Sequence, residues 1–292
     1  MHDPQVVAER LLKTSAEHPD ADAHIDWETP FEEGAWFMPP EWVSLYGTPL
    51  WRGMDEASRV ELSRHEMAAL ASGGIWTELC LMQMLGRYMA GRDLTDSRTR
   101  YALTEVGEEA RHSLMFARLI SAMGCRAYPP PRRVNHLFSL TSVVYGQVGT
   151  FAVTLLSEEV NDLVQREGMN DERVHPLVRQ VCRVHVVEEA RHVGFARTEL
   201  AHAVRTASPA NVRIQRELVG MTACAFMAHR MPAAVYRAVG LDPATARRQA
   251  LANPHHRALL QRSGRKAVAF LTEVGLIGPG QRHWWRRAGL MP

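Results

Sequence analysis

A pentapeptide, Glu-Glu-Ala-Arg-His, occurs twice in the chain, at residues 108–112 and again 80 residues later at 188–192. In each copy the second glutamate and the histidine stand three positions apart. On a helix such positions share a face, so each copy can offer a carboxylate oxygen and an imidazole nitrogen to one metal ion. A third Glu-x-x-His, from Glu199 to His202, has no twin and lies off that face. The twinned motif predicts a two-metal centre.

Two further glutamates complete the repeated pattern. Dimetal carboxylate bundles need one glutamate from each of two additional helices. Glu78 and Glu158 each stand 31 residues before the second glutamate of a pentapeptide, so the whole triad repeats. Glu66 is a competing upstream carboxylate, and Glu159 is a neighbour of Glu158, but both break the repeat spacing. The pattern indicates a duplicated helical hairpin.

The two copies differ at one position of the predicted metal face. His185 lies one helical turn before Glu189, and the equivalent residue of the first half is Glu105. We expect His185 to be a ligand, with a core histidine as the alternative. Glu108 and Glu188 open the pentapeptides. Each is expected to accept the free N–H of a ligand histidine from the other hairpin, with an ordinary surface ion pair as the alternative.

The donor chemistry favours iron. The predicted metal ligands are Glu78, Glu109, His112, Glu158, His185, Glu189 and His192. Four carboxylates compensate two divalent cations in a buried site, and carboxylate with imidazole, without nearby cysteine, favours two iron ions ahead of manganese. No catalytic group beyond these ligands is predicted. The sequence has no G-x-G-x-x-G motif or cysteine cluster, so electrons must come from a separate ferredoxin or reductase.

Helical periodicity recurs from end to end and strand alternation is nearly absent. We therefore predict an all-α fold, a ferritin-like four-helix bundle core with additional flanking helices. Helices are predicted at residues 4–16, 54–71, 74–92, 97–123, 134–165, 174–205, 209–231 and 254–273. Residues 1–292 are assigned to a single domain, with the metal-binding core at about 74–205, an irregular N-terminal wrap at 17–51, and flanking helices with a tail at 209–292.

Composition excludes several classes of protein. The net charge is +2 and 46% of the residues are apolar, so electrostatics indicates neither nucleic-acid nor membrane binding. Residues 134–157 lack charge over a length that could cross a bilayer, but their polar content and the following glutamates favour a helix buried inside the protein. A charged N-terminus without a signal peptide and four scattered cysteines indicate a cytoplasmic protein.

The order Glu, Glu-x-x-His, Glu, His-x-x-x-Glu-x-x-His resembles that of the AurF-type aminobenzoate N-oxygenases, which are ferritin-like non-haem diiron oxygenases. Its third histidine distinguishes this family from bundles with two histidines. The resemblance covers about residues 74–205. It implies a monooxygenase-type oxidoreductase that uses O₂ to convert an arylamine to a hydroxylamine, nitroso or nitro product, and it implies a homodimer. The alternatives are a diiron hydroxylase or desaturase acting on C–H bonds, and a non-enzymatic iron-binding protein.

Two further groups of residues have open roles. Neighbours of the ligands on the same helix faces either line a substrate cavity or belong to the bundle core; they are Met82, Leu85, Phe116, Phe151 and Thr154. The tryptophan- and arginine-rich tail at 282–287 either binds a substrate carboxylate or an acidic reductase, or packs its tryptophans and exposes its arginines.

Overall fold

A computed structural model describes residues 3–17, 21–32, 34–141 and 143–292. These residues form mainly α-helices, and none of them lies in a β-strand. The helices are α1 (Pro4–Ala16), α2 (Pro49–Gly53), α3 (Glu56–Met89), α4 (Ser97–Ala122), α5 (Arg132–Thr141), α6 (Gly146–Asn170), α7 (Pro176–Thr206), α8 (Pro209–His229), α9 (Ala233–Ala238), α10 (Pro243–Ala252), α11 (Pro254–Glu273) and α12 (Arg282–Arg287).

Four long helices form the core of the molecule. Helix α3 packs on α4 and helix α6 packs on α7, so each consecutive pair makes a hairpin. The hairpins meet through α4 against α7 and α3 against α6. This arrangement is a four-helix bundle with flanking helices, and it confirms the predicted all-α, ferritin-like fold.

Helix α3 corrects one prediction. Residues 54–71 and 74–92 were expected to form two helices, but the chain is one helix from Glu56–Met89. A glycine inside a helix costs only about 1 kcal/mol, which tertiary packing outweighs. Gly74 is also needed for close packing, because a Cβ atom there would lie 2.9 Å from the ring of Phe116 on α4. Gly73 and Gly74 therefore mark a close helix contact, and the helix continues through them.

The region after α4 corrects a second prediction. Residues 134–165 were expected to form one helix, but the chain leaves the helix between α5 and α6. Gly146 has φ of 54°, a left-handed conformation that a continuous right-handed helix does not contain. From 148 to 160 every residue of α6 is buried, but residues 135–136, 143–144 and 146–147 are exposed, so the burial predicted for 134–157 holds only in the second part of that segment. Ser142, which belongs to that segment, lies outside the described residues.

The segment that could span a membrane by length and composition is a different one from residues 134–157. Among the described residues, Pro209–Ala238 is long and apolar enough to cross a bilayer by length and composition, with a hydropathy of 1.2. Of its most apolar window, 22% is buried inside the protein. Such a segment also occurs as a core helix of a protein that does not enter a membrane, so this single helix is weak evidence for a span.

Apart from these two corrections, the predicted helices differ from the structure mainly because short helices were not predicted. The predicted bounds of α1, α4, α7, α8 and α11 agree with the structure to within two residues. Asp96 caps α4, since its side chain accepts the backbone N–H of Thr99, and Ser97 is the first helical residue. Helices α2, α9, α10 and α12 were not predicted. They are short, and a short segment does not show enough apolar periodicity to identify a helix.

The N-terminal wrap is only partly irregular. Its described residues include two 3₁₀-helices, Ala21–His24 and Pro40–Trp42, and residues 49–51 begin α2. Residues 18–20 and 33, which the prediction included, lie outside the described residues. The backbone of Trp36 pairs with the connection between α6 and α7, donating to the carbonyl of Arg173 (2.9 Å) and accepting from His175 (2.8 Å). The indole of Trp42 donates to Glu167 Oε2 at 2.6 Å. These bonds hold the wrap against the second hairpin.

The C-terminal tail favours the packing interpretation. Trp285 is buried, and the indole of Trp284 donates to Glu217 Oε2 on α8 at 2.8 Å. Arg286 and Arg287 remain exposed. The tail thus packs its tryptophans and exposes its arginines.

Candidate metal centre

All seven predicted ligands converge inside the four-helix bundle, and none is more than 5% exposed. Helices α3 and α6 contribute one glutamate each, and α4 and α7 contribute the Glu-x-x-His pairs and the additional histidine. Potential donor atoms lie within 4.8 Å of one another in three overlapping groups: Glu109 with His112, Glu189 and His192; Glu78 with His112 and His185; and Glu158 with His185 and Glu189. This cluster can hold metal ions.

The two Glu-x-x-His pairs interleave at the middle of the cluster. His112 Nδ1 lies 3.1 Å from Glu189 Oε1, and His192 Nδ1 lies 2.9 Å from Glu109 Oε1. Each histidine therefore reaches the carboxylate of the opposite hairpin as well as that of its own. Glu189 belongs to two of the three donor groups, and Glu109 belongs to one.

Glu108 and Glu188, the first glutamates of the pentapeptides, bond to the Nε2 atoms of the cluster histidines. His112 Nε2 donates to Glu188 Oε2 at 2.8 Å, and His192 Nε2 donates to Glu108 Oε2 at 2.7 Å. Each bond crosses from one hairpin to the other, as predicted. Because Nε2 carries the proton in this arrangement, the lone pair of Nδ1 faces the cluster, where a metal would bind.

Arginines compensate the charge of these two glutamates. Arg191 Nη2 donates to Glu108 Oε1 at 2.8 Å and lies 3.4 Å from Glu188 Oε1, and Arg111 lies 3.5 Å from the same oxygen. Ser15 of α1 also donates to Glu108. Burial opposes ionisation of Glu108, but its bond to His192 and these other contacts lower its pKa to about 2. Both glutamates are buried, so the surface ion-pair alternative is wrong.

The electrostatics of the cluster favours bound positive charge. Burial raises the pKa of Glu158 well above its ordinary value, and the neighbouring carboxylates of Glu189 and Glu109 raise it further. Burial alone lowers the pKa of His112 and His192, yet the surrounding carboxylates raise both pKa values well above the ordinary range. Protons and metal ions compete for such a cluster, because a ligand histidine must be deprotonated.

The donor set fits a pair of iron ions. Oε2 of Glu189 and Nε2 of His185 are buried and form no hydrogen bond within the described part of the chain. Buried polar atoms without partners require an explanation, and coordination of a metal supplies one. His185 Nε2 lies 3.5 Å from oxygens of both Glu78 and Glu189, inside the cluster. Nitrogen and oxygen donors with four carboxylate charges suit two divalent iron or manganese ions.

The competing carboxylates lie elsewhere. Glu66 is fully buried but accepts hydrogen bonds from the backbone N–H (2.9 Å) and the hydroxyl (2.5 Å) of Ser44. Glu159 pairs with Arg197. Glu199, from the untwinned motif, pairs with Arg98. The structure thus separates all three from the cluster that contains Glu78 and Glu158.

Two neighbouring cavities lie beside the cluster. The larger, of about 160 Å³, opens between α3, α6 and α8 and has mainly apolar walls. The smaller, of about 30 Å³, is bordered by Glu78, Glu158, His185 and Phe116. Both cavities share lining residues, namely Leu70, Thr77 and Asn161. The larger cavity therefore adjoins the space beside the candidate ligands.

Few of the residues that line these two cavities were predicted from the sequence. Of the five predicted candidates, Phe116 lines the smaller cavity, while Leu85 and Phe151 belong to the buried core. Met82 and Thr154 border neither of these cavities. Sequence reasoning missed Asn161 and Arg230, which line the larger cavity and join through Arg230 Nη1 to Asn161 Oδ1 (2.5 Å). The spacing of ligands carries no signal for them, because their position depends on how α8 packs.

Fold and cluster together define a ferritin-like bundle whose four central helices direct carboxylates and imidazoles to one buried, metal-binding centre. The sequence profile of the p-aminobenzoate N-oxygenase AurF matches residues 2–275, and the chain belongs to this family. The description of this family names an N-oxygenase.

Named relatives extend the comparison. Uncharacterized proteins of Mycobacterium bovis and of two Mycobacterium tuberculosis strains are each 30% identical to this chain over 200 residues, or 66% of it. The matched region covers 57% of each relative, so the chain spans little more than half the length of these proteins.

Proposed function

We propose that this protein is a diiron oxygenase that activates O₂ and N-oxygenates an arylamine to a hydroxylamine, nitroso or nitro product. The observation that carries the proposal is the buried four-carboxylate, three-histidine cluster beside a mainly apolar cavity. Membership of the AurF family supports the same chemistry. The proposed iron ligands are Glu78, Glu109, His112, Glu158, His185, Glu189 and His192.

The side chains around the cluster prepare it for this chemistry. Two ferrous ions held by these ligands would supply electrons for the reduction of O₂. Glu108 and Glu188 orient the ligand histidines, and Arg191 keeps Glu108 ionised. The ligand side chains are buried, and the cavity of about 30 Å³ beside them has room for a molecule of the size of water or O₂.

The larger cavity suits a single aromatic ring. A cavity of about 150 Å³ with apolar walls accommodates benzene, and this one measures about 160 Å³. Arg230 lines it and has no carboxylate within ion-pair distance among the described residues. We propose that Arg230, held by Asn161, pairs with an acidic group of the substrate while the amine faces Thr77 and the cluster.

The remaining assignments are supported by the chain's composition and by its family. The sequence contains no motif for a bound flavin, nicotinamide or iron–sulfur centre, so we propose an external ferredoxin or reductase as the electron donor. The four cysteines are free, which supports a reducing, cytoplasmic location. A homodimer that binds neither nucleic acid nor membrane completes the proposal.

Anaerobic loading with ferrous iron, followed by exposure to O₂ and p-aminobenzoate, tests the function. We expect two iron ions per chain, an optical band after O₂ that decays faster with the arylamine, and products with oxygen on nitrogen by mass spectrometry. Oxygen inserted only into C–H bonds would favour the hydroxylase alternative. Binding of one metal ion per chain would remove the basis of the proposal.

A variant of Arg230 tests the orientation of the substrate. Arg230→Met is expected to raise KM for p-aminobenzoate about tenfold, because a charge-assisted pair is lost, and to leave KM for aniline nearly unchanged. Arg230→Lys, which keeps the charge, should restore part of the difference. An equal change for both amines would contradict a role of Arg230 in binding an acidic group.

A further inference from the structure

Ser157 connects the larger cavity to a candidate metal ligand. It lies on α6, lines the larger cavity and directly precedes Glu158. The residue is 7% exposed. Its Oγ donates to the backbone carbonyl of Thr154 at 2.9 Å and lies within hydrogen-bond distance of Glu158 Oε1, at 3.2 Å. The proposed mechanism gives this hydroxyl no role, although it is in contact with a ligand of the cluster.

The first hairpin holds its equivalent glutamate in a different way. Thr77, which precedes Ser157 by 80 residues, also lines the larger cavity, but its hydroxyl donates to carbonyls of its own helix. Glu78 Oε2 accepts from Ser113 of α4 at 2.9 Å, and Ser113 lines neither of the two cavities. Within the described part of the chain, Glu158 is therefore the one of these two glutamates that bonds to a hydroxyl on the cavity wall.

The oxygen of Ser157 can accept a further hydrogen bond. A hydroxyl donates one hydrogen bond and also has two acceptor lone pairs. The proton of Ser157 serves Thr154 or Glu158, and none of the described residues donates to its Oγ. A donor from a molecule in the cavity can fill this position.

The same contact limits how far that donor lies from the cluster. A nitrogen that donates to Ser157 Oγ lies about 3 Å from it, and so no more than about 6 Å from Glu158 Oε1, given the 3.2 Å contact between these two oxygens. Ser157 can thus hold a nitrogen atom close to a candidate ligand without itself binding a metal.

We propose that Ser157 Oγ accepts a hydrogen bond from the amine of the substrate and so positions the nitrogen beside Glu158. The inference rests on the proposed function and deepens it, because it assigns the amine end of the substrate, whereas Arg230 was assigned the acidic end. It makes the site selective for amines that carry N–H bonds. An analogue without them loses one hydrogen bond, but the proton of Ser157 keeps its acceptors, so the preference is modest, about tenfold.

Anaerobic binding of two acids of the same shape tests the proposal. p-Aminobenzoate and p-methylbenzoate share the ring and the carboxylate, and an NH₂ group in one replaces a CH₃ group of similar size in the other. Isothermal titration calorimetry of the ferrous-loaded protein without O₂ gives both Kd values and involves no turnover. Ser157→Ala should weaken binding of p-aminobenzoate about tenfold and leave the Kd of p-methylbenzoate within about twofold of the parent.

Two further variants separate the hydroxyl of Ser157 from a general effect on the ligands. Ser157→Thr keeps the hydroxyl, and the equivalent position of the first hairpin already holds a threonine, Thr77, so the parental ratio of the two Kd values should remain. Ser113→Ala is the matched control, because it removes a hydroxyl from Glu78 but not from the cavity wall. It should also keep the parental ratio.

The outcomes distinguish this inference from the proposed function. An unchanged ratio in Ser157→Ala overturns the role of Ser157, and so does an equal weakening of both acids, which a purely structural role would produce. An equally large change of the ratio in Ser113→Ala overturns it as well. A parent that oxidises p-aminobenzoate while Ser157→Ala keeps the parental ratio leaves the proposed function intact and removes this inference alone. A parent that binds neither acid contradicts both.

Discussion

The two hairpins, α3–α4 and α6–α7, carry the same donors 80 residues apart, but their surroundings differ. In α6 every residue from 148 to 160 is buried, because α8 and α11 pack over this helix. In α3 the equivalent stretch contains Gly73 and Gly74 where α6 has Val153 and Thr154. Gly73 and Thr77 border the larger cavity. Val153 and Ser157 of α6, the equivalents of Gly73 and Thr77, border the same cavity, so both hairpins contribute to its wall.

The comparison also separates two uses of buried carboxylates. Near the cluster, Glu108 and Glu188 are kept ionised by histidines and arginines of the two pentapeptides. Earlier on α3, Glu66 has Ser44 as its partner, and burial raises its pKa to about 7. The equivalent position of the second hairpin is Gly146, the first residue of α6. Among the described residues, the glutamates in groups that could hold a metal ion are the repeated ones, Glu78, Glu109, Glu158 and Glu189.

The largest effect is expected for the paired histidines. His112→Ala and His192→Ala should each reduce iron binding and oxygenase activity more than about 100-fold, because each histidine occupies an equivalent place in the cluster. His202→Ala, in the untwinned motif, should retain both ions and the activity. Metal analysis with product formation measures the result. A large loss in only one of the two hairpins would show that the duplicated donors are not equivalent.

A pH-dependent effect on stability is expected for Glu66→Gln. The folded-state pKa of Glu66 is about 7 against an ordinary 4.5, so the folded state keeps a proton that the unfolded state loses. The parent therefore loses stability as pH rises from about 4.5 to 7, by up to about 3 kcal/mol, and changes no further above that. The variant should lack this loss in denaturant unfolding. A constant stability difference between pH 5 and 8 would contradict it.

An intermediate effect is expected for the glutamates behind the histidines. Glu108→Gln and Glu188→Gln should weaken iron binding by about 10- to 100-fold, as loss of a hydrogen bond to a ligand histidine does. Glu108 should show the larger loss. It accepts a hydrogen bond from Ser15, and it lies closer to Arg191 than Glu188 does. Iron titration with a competing chelator gives the two affinities. Equal losses would mean that these additional contacts add nothing to the metal site.

The smallest effect distinguishes the two glycines of α3. Gly73→Ala should stabilise the protein by about 0.5 to 1 kcal/mol, because no atom outside its own helix lies within 4 Å of the added Cβ. Gly74→Ala should destabilise it by about 1 kcal/mol or more, because the ring of Phe116 must move. Thermal unfolding of both variants measures the difference. Similar shifts in the same direction would argue against a close contact between α3 and α4.

Long helices and candidate donors were predictable for local reasons. Apolar periodicity extends over many turns in α4, α7 and α11, so their bounds were found to within two residues. The i, i+3 spacing and the 80-residue repeat identified side chains that the structure brings together. The short helix α9 was not predicted because its local signal is weak. At Gly73 the local signal was misleading, and a break was predicted within the continuous helix α3.

By itself, the sequence determined the type and spacing of the donors, because these depend on helix geometry and on residues a few positions apart. Only the tertiary structure decided the particular partner of each buried carboxylate. It joins Glu108 to His192 across two hairpins, directs Glu66 to Ser44 and brings Arg230 to the cavity wall. The contacts of Glu66 and Glu108 join residues that are 22 and 84 positions apart in the sequence. The packing of whole helices therefore determines them, and no local pattern does.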